Sequence, residues 1–229
     1  MKQSSKTHKL KVICHMMSSV DGKILTKNWL GTGLSKKTIK LYETIHKKYD
    51  SQAWMCGRVT MERDFADGLY THKGEPIKEA KDHIADPKAK SFAIAIDASG
   101  KLAWKENNID GDHIVEILTE QVSQEYVDYL QQLGISYLFA GKTELDLKLA
   151  LQKITRHFPI KTLMLEGGGH LNGAMMKAGL VNELSLLLLP LADGTTSTTV
   201  FETGAVSTMK LKHVKKLAND VLWLQYKVK

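Results

Sequence analysis

The sequence predicts a single α/β domain built on a mostly parallel sheet. Its 229 residues are 43% hydrophobic and 25% charged, an ordinary globular composition. Short apolar runs alternate with helical patterns, and several of these runs are apolar at successive positions, which is typical of strands buried on both faces. Because a chain of this length can bury one core, we expect one domain over residues 1–229, with the polar segment 1–8 as a disordered tail.

Strands are predicted wherever a short apolar run is bounded by polar or turn-forming residues. Eight runs meet this description: 10–17, 53–56, 92–96, 113–118, 136–140, 162–165, 184–189 and 221–228. The last two could form an antiparallel edge of the sheet. Residues 65–90 contain glycine and proline without a clear period, so we expect a long excursion over the surface.

Helices are predicted where apolar residues recur every three or four positions. The expected helices cover residues 35–49, 123–133, 146–157 and 171–178. Ser123 is suited to cap the second helix and Gly134 to end it. From residue 112 to residue 189 strands and helices alternate strictly, which predicts parallel strands joined by crossover helices.

The chain carries a formal charge of +7, and only three of its 32 basic residues are arginine, namely Arg58, Arg63 and Arg156. Because sequence readout in nucleic acids favours the arginine fork, we interpret the scattered lysines as a solvated surface and expect no nucleic-acid partner. A basic surface that attracts a phosphorylated cofactor and substrate is the alternative. The start of the chain has no apolar leader, which favours a cytoplasmic protein without a membrane partner.

Cysteines and histidines give no sign of a metal site. Cys14 and Cys56 each lie inside an apolar run and have no partner at metal-ligand spacing, so we expect buried thiols. The histidines have no metal-binding pattern either, and we assign them no function. Six of the nine histidines are scattered through the predicted fold: His15, His46, His113, His157, His170 and His213.

Three glycines follow the predicted strand 162–165. Glu166 comes first, then Gly167, Gly168 and Gly169, and a helix begins just beyond. Free backbone N–H groups at a helix N-terminus, with no side chains in the way, suit a pyrophosphate. The alternative is that the glycines only allow close packing of strand and helix.

A second turn follows the strand 53–56, with Gly57, Arg58 and Thr60 at the expected start of a helix. A guanidinium and a hydroxyl beside helix N–H groups suit a phosphate. The alternative is a surface arginine next to a turn.

A third turn, Asp21-Gly22-Lys23, ends the first strand. Both side chains could point into a cleft at the edge of the sheet, where open α/β sheets bind ligands. From spacing alone, a simple Asp-Gly turn with a solvent-facing lysine is the favoured interpretation.

These three turns, in this order, resemble the reductase domain of the riboflavin-pathway deaminase-reductase and its stand-alone archaeal and fungal relatives, within the larger dihydrofolate reductase-like group. The similarity covers residues 12–228 and is most specific at EGGG, LN and AGLVNEL between residues 166 and 184. Gly57-Arg58-Val59-Thr60 is similar to the GRxT turn of dihydrofolate reductases. The chain has no zinc-deaminase pattern, so we expect no deaminase activity.

The resemblance implies a dihydrofolate reductase-like three-layer α/β/α fold, a mixed, mostly parallel sheet flanked by helices, and a homodimer. It also implies NADPH as cofactor. Gly167, Gly168 and Gly169 would hold the pyrophosphate. In the other turn, starting at Gly57, Arg58 would meet the 2'-phosphate and Thr60 the pyrophosphate.

For catalysis, the resemblance implies that Asp21 and Lys23 contact the substrate and that Glu166 lines the cleft near the nicotinamide. The small-molecule substrate would be a phosphorylated ribosylamino-pyrimidine, reduced at C1. Two departures leave the substrate open: residues 61–67 replace an Asp-Asp-Pro segment of the family, and 191–194 replace a Gly-Gly pair.

Two other functions remain as alternatives. One is a true dihydrofolate reductase, although residues 30–42 lack the tryptophan and helix-borne acid of that family's pterin site. The other is a non-catalytic protein that binds nucleotides or RNA through its basic surface.

Overall fold

The computed structural model describes residues 9–71 and 74–229, so the predicted tail 1–8 lies outside the described residues. Within this part of the chain there are ten strands and five α-helices. The strands are β1 (Lys11–Ser18), β2 (Ala53–Gly57), β3 (Phe92–Ile96), β4 (Asn108–Ile109), β5 (Asp112–Leu118), β6 (Ser136–Phe139), β7 (Thr162–Leu165), β8 (Glu183–Leu188), β9 (Met209–Lys216) and β10 (Leu222–Val228). The helices are α1 (Ser35–His46), α2 (Arg58–Asp64), α3 (Gln124–Leu133), α4 (Leu147–His157) and α5 (Gly169–Lys177).

The strands form one sheet in the order β4-β5-β3-β2-β7-β1-β8-β10-β9, with β6 also paired to β5. Every pair from β5 to β8 is parallel, and β10 joins β8 antiparallel. The predicted parallel sheet with an antiparallel addition is therefore confirmed. All eight predicted strands are present within one or two residues of their expected bounds.

Two strands were not predicted, and each for a physical reason. The first, β4, is only two residues long and leaves no periodic signal. The second, β9, contains four lysines and a histidine, and almost all of its residues are exposed. Charged side chains are common on edge strands because they discourage pairing with other chains.

Helices cover both faces of the sheet. On one face, α4 and α5 bury Leu151, Ile154 and Met175 against the central strands. On the other face, α2 and α3 bury Met61 and Tyr126. On this second face, α1 also packs over β8 and β10 in a smaller cluster of apolar side chains. The three-layer α/β/α arrangement is thus confirmed.

The predicted cap of α3 is also confirmed. Ser123 accepts a hydrogen bond from the N–H of Tyr126, and Gly134 ends the helix with a φ of 71°. Both predicted thiols are free and buried, at Cys14 and Cys56.

In their described part, which leaves out residues 72 and 73, residues 65–90 contain no named strand or helix, as predicted. The segment runs to the far edge of the sheet, where His83 forms a bridge with Tyr137 of β6. Asp82 accepts hydrogen bonds from the N–H of Phe139 and from the ammonium group of Lys153. The excursion therefore covers the open side of β6.

The apolar run within residues 184–191 predicts a homodimer through a sheet edge or an apolar face near it. Its strand β8 is instead internal, since it pairs with β1 on one side and β10 on the other. The proposed edge is therefore wrong, because this chain's own neighbouring strands account for the continuous apolar run. No helix in the described part of the chain is long and apolar enough to cross a membrane.

Candidate active site

The two glycine turns lie side by side. They follow β2 and β7, which are parallel neighbours with Met55 opposite Leu165. The N–H of Gly57 donates a 2.8 Å hydrogen bond to the carbonyl oxygen of Gly167. Because parallel strands end at the same edge, both turns face the region where open α/β sheets bind ligands. The sequence placed these turns correctly without showing that they touch.

The N-terminus of α5 offers an open cradle. Gly168 occupies the N-cap position and no side chain caps the helix, so its first N–H groups point outward. A Cβ atom added to Gly168 would lie 3.4 Å from the Thr60 hydroxyl oxygen, in the space between the two turns. The peptide bond between Gly167 and Gly168 is cis. These groups fit the pyrophosphate of a nicotinamide cofactor.

Gly169 has a different reason to be glycine. A Cβ atom there would overlap the carbonyl oxygen of Thr199, and the N–H of Glu202 donates to the Gly169 carbonyl. A Cβ on Gly173, one turn later, would overlap the carbonyl oxygen of Glu202. For these two glycines, close packing of the 199–204 segment is sufficient explanation. The pyrophosphate contact expected of Gly169 stays a prediction.

Arg58 begins α2, as expected, and lies at the same edge of the sheet as the glycine turns. Its Nη1 donates a 2.5 Å hydrogen bond to the carboxylate of Glu62, one helical turn later. About one third of each side chain is exposed. The guanidinium group also lies near Asp97, which follows β3, the next strand of the sheet. A 2'-phosphate here would meet a guanidinium that already has one carboxylate partner.

Asp21 is bound to a neighbouring loop. Its carboxylate accepts hydrogen bonds from the Ser19 hydroxyl at 2.5 Å and from the N–H groups of Asp193 and Gly194 at 2.9 Å each. These bonds, the Ser19 hydroxyl first, hold the pKa of Asp21 well below its usual range. In this geometry Asp21 orders the loop after β8. Its expected contact with substrate stays a prediction.

Lys23 lies on the same loop-bound turn. Its ammonium group donates to the carbonyl oxygen of Ser197 at 3.0 Å, and its backbone bridges to Thr199. None of the hydrogen bonds in the described residues joins Asp21 or Lys23 to Glu166. From the sequence, we expect Asp21, Lys23 and Glu166 to line one cleft. The fold places the first two against residues 193–199 and the third against α1.

Glu166 extends from the end of β7 toward the last turn of α1. Its Oε1 lies 2.7 Å from Nδ1 of His46, and the two side chains are only 14% and 25% exposed. On its other side, the His46 ring lies 3.2 Å from the Ser51 hydroxyl. The result is a partly buried carboxylate and imidazole in direct contact.

Aromatic and polar groups surround this pair. Tyr42, also on α1, donates its hydroxyl to the carbonyl oxygen of His15 at 2.9 Å, and its ring stacks on the His15 ring with centroids 4.2 Å apart. His15 is fully buried and bonded to Ser185. Burial and then the Glu166 charge raise the pKa of Tyr42 well above its ordinary value. Tyr42 is therefore neutral near pH 7.

Burial works to lower the pKa of His46, but the hydrogen bond and charge of Glu166 outweigh it and raise this pKa above the ordinary value. The sequence analysis assigned His46 no function. It follows the apolar positions of α1 directly, yet nothing local connects it to a glutamate in a turn far along the chain. Only the packing of α1 on β1, the sheet neighbour of β7, brings the two together.

This arrangement defines a class of protein: an α/β protein with two adjoining glycine turns, and a partly buried glutamate-histidine contact beside them, at the end of parallel strands. A family model described as the RibD C-terminal domain matches residues 10–223. The chain belongs to this family. The resemblance to riboflavin-pathway reductases is thereby confirmed, and the protein is a pyrimidine reductase of that type, an oxidoreductase acting with a nicotinamide cofactor on a small molecule.

Solved structures agree on the fold. A pyrimidine reductase-like protein from Corynebacterium diphtheriae superposes with a TM-score of 0.66 at 12% identity, covering 97% of this chain and 93% of its own. RibD from Acinetobacter baumannii gives 0.64 at 18% identity, covering 97% and 59%. The riboflavin biosynthesis reductase Rib7 of Saccharomyces cerevisiae gives 0.57 at 16%, covering 99% and 93%. The dihydrofolate reductase-like fold is therefore confirmed, and this chain spans 59% of the RibD chain.

Proposed function

We propose that the protein uses NADPH to reduce C1 of a ribosylamino-pyrimidine 5'-phosphate, opening the ribose to a ribityl chain. The observation that carries this proposal is the hydrogen-bonded pair of glycine turns, Gly57 to Gly167, at the carboxyl edge of the sheet. It sets an uncapped helix N-terminus beside the Thr60 hydroxyl, and the two together suit a pyrophosphate.

The cofactor would lie across both turns. The N–H groups around Gly168 and the Thr60 hydroxyl would hold its pyrophosphate, and Arg58 would hold its 2'-phosphate. When bound, the reduced nicotinamide supplies a hydride. The chain's own contribution is to orient both reactants, exclude water and provide a proton.

Glu166 is the candidate proton donor. Two of the three expected catalytic residues, Asp21 and Glu166, have a carboxyl group, and Glu166 is the less exposed of the two. Glu166 also contacts an imidazole. Lys23 would contact the substrate at the mouth of the cleft, where its flexible ammonium group can leave the Ser197 carbonyl. Asp21 would act mainly by holding residues 193 and 194 in place.

The experiment is direct. The purified protein is mixed with NADPH and the ribosylamino-pyrimidine 5'-phosphate, and both NADPH oxidation and the ribityl product are measured. Dihydrofolate replaces the pyrimidine in a parallel assay. Stoichiometric ribityl product supports the proposal. NADPH binding without any turnover of the pyrimidine would overturn the substrate assignment while leaving the cofactor assignment intact.

Assembly and location complete the proposal. We infer a homodimer, as is usual for proteins that this chain resembles, and a cytoplasmic location. Two free, buried thiols at Cys14 and Cys56 are consistent with a reducing compartment. Neither assignment depends on the cofactor site.

A further inference from the structure

A cavity of about 300 Å³ opens on the edge of the sheet opposite the glycine turns. Its walls include residues at or just before the amino ends of three parallel strands, namely Ala53, Ser91 and Asp112. Gly57, at the carboxyl end of the same strand as Ala53, is four residues further along, or roughly 13 Å at the usual rise per residue. The cavity is therefore separate from the region where the cofactor would lie.

His46 and Ser51 also line this cavity. The Ser51 hydroxyl lies 3.2 Å from Nε2 of His46, and Nδ1 of the same ring lies 2.7 Å from Glu166. One imidazole thus contacts a hydroxyl at the cavity wall with one nitrogen and the candidate proton donor with the other. Most of its lining residues carry polar side chains, and it is large enough for several water molecules.

We propose that His46 relays protons to Glu166 from this cavity, through Ser51, so that the proton consumed in each reduction enters from the edge of the sheet opposite the cofactor. The inference rests on the proposed function, because it requires Glu166 to donate a proton during turnover. His46 acts through Glu166 and does not itself touch the substrate, so it is a positioning and proton-supplying residue.

Hydride adds to C1 of the substrate, the bond from C1 to the ring oxygen breaks, and Glu166 gives its proton to that oxygen, which becomes a hydroxyl. The resulting carboxylate takes the Nδ1 proton of His46, while Nε2 accepts a proton from the Ser51 hydroxyl, which is replenished by cavity water. After product leaves, the imidazole regains its first tautomer by exchange with water. C1 is reduced and the nicotinamide is oxidised.

An imidazole suits this relay because its two nitrogens can take and release protons near neutral pH. Glu166 raises the pKa of His46, which keeps the ring able to hold a proton despite its burial. Other titratable groups interact electrostatically with the pair. The charges of Lys47, just after α1, and Asp112 of β5 act on His46, and the charge of Glu166 acts on Cys14 and His15 of β1, Tyr42 of α1 and Cys56 of β2.

Two variants separate relaying from simple positioning. His46→Gln keeps an N–H group for Glu166 but cannot carry a proton. His46→Ala leaves a space next to the cavity that free imidazole can enter. The matched control is His157→Ala on α4, whose imidazole lies 3.8 Å from Asp82, far from the site.

Binding of NADPH and of the pyrimidine 5'-phosphate to the unaltered protein is measured first, so that failure of the proposed function is seen there. We then expect His46→Gln to lower kcat about tenfold or more, because positioned proton transfer contributes roughly a hundredfold or more, with little change in KM. Imidazole should restore turnover of His46→Ala in proportion to its concentration, and should leave His157→Ala unchanged.

Three results would overturn the relay. The first is wild-type kcat in His46→Gln, which would mean that the N–H contact alone is sufficient. The second is an inactive but folded His46→Ala that imidazole does not restore. The third is an unchanged dependence of kcat on pH in His46→Gln, since removing the relay must alter that profile. If His46→Ala does not fold, the glutamine variant and its pH profile decide the question.

Discussion

The N–H of Gly57 donates a 2.8 Å hydrogen bond to the carbonyl oxygen of Gly167, and so joins two turns that are far apart in the sequence. The bond continues the pairing of β2 with β7 beyond the last strand residues. It also fixes the distance between the start of α2 and the start of α5. A cofactor bound to one of these turns would therefore also contact the other turn.

Arg58→Ala should abolish a preference for NADPH over NADH. Loss of a charge-assisted contact to the 2'-phosphate costs about 1.5 to 3 kcal/mol, or roughly ten- to hundredfold in affinity. Glu62→Gln is the informative counterpart, because it removes the carboxylate that pairs with Arg58 and should strengthen NADPH binding. Fluorescence titration with both cofactors measures these affinities. An Arg58→Ala protein that keeps its preference would refute the assignment.

Gly168→Ala should weaken cofactor binding without unfolding the protein. Its φ of −71° is ordinary backbone for alanine, and the added Cβ would approach only the Thr60 hydroxyl, at 3.4 Å. A phosphate in the cradle would meet this methyl group directly. Calorimetry with NADPH and a thermal melt test the two expectations.

Gly169→Ala serves as the contrast. Its Cβ would overlap the Thr199 carbonyl, so the main effect should be a lower Tm, with a loss of about 1 to 3 kcal/mol as for other overpacked sites. If both alanine variants lost stability equally and bound NADPH equally, the distinction between cradle and packing glycines would be wrong.

Asp21→Asn should lower turnover while leaving NADPH affinity nearly unchanged. An amide accepts fewer hydrogen bonds than a carboxylate, so the N–H groups of Asp193 and Gly194 would lose part of their anchor. Limited proteolysis should then cut within residues 191–199 faster than in the unaltered protein. Asp110→Asn, in an exposed turn at the far edge of the sheet, is the control. Full activity with an unchanged cleavage rate would contradict the role given to Asp21.

Lys23→Ala should also lower turnover and spare NADPH binding, because Lys23 contacts the loop carbonyl of Ser197 and, in the proposal, the substrate. Steady-state kinetics with the pyrimidine 5'-phosphate measure the effect. The Lys27→Ala variant, in the 3₁₀ helix Thr26–Thr32, controls for a general loss of positive charge. Equal losses in both variants would point to charge alone.

The His46–Glu166 contact should make stability depend on pH. Because the folded state raises the pKa of His46 above 6.5, the contact's contribution is complete below that value and is lost as pH rises through the folded pKa. The difference in Tm between the protein and His46→Gln should therefore be larger at about pH 5.5 than at about pH 8.5. In a Glu166→Gln background only the opposing effect of burial is left, so this pH dependence should disappear or reverse its sign. With Glu166 intact, a difference in Tm that grows with pH would contradict the expectation.

The protein should be a homodimer in solution. Pairing through the exposed strand β9 is disfavoured, because its lysines on two copies would repel each other. We therefore expect an interface on another face of the molecule. Light scattering at micromolar concentration gives the mass, and a monomer there would refute the prediction.

The sequence by itself determined the element order, the parallel core and the positions of the glycine turns. These features are local: apolar period sets helix or strand, and a glycine after a strand marks a turn. The turn residues Gly57 and Gly168 were found in this way. The lysine-rich β9 was missed because its pattern is that of an exposed edge rather than a buried strand.

The tertiary structure decided which of these residues meet. Asp21 binds residues 193 and 194, and Glu166 meets His46, because strand order and the packing of α1 bring together segments that no local pattern relates. It also divided the glycines, since only the backbone of the 199–204 segment makes Gly169 a packing residue while Gly168 faces open space. Contacts of this kind depend on long-range packing, which a single sequence does not encode in any spacing that can be read directly.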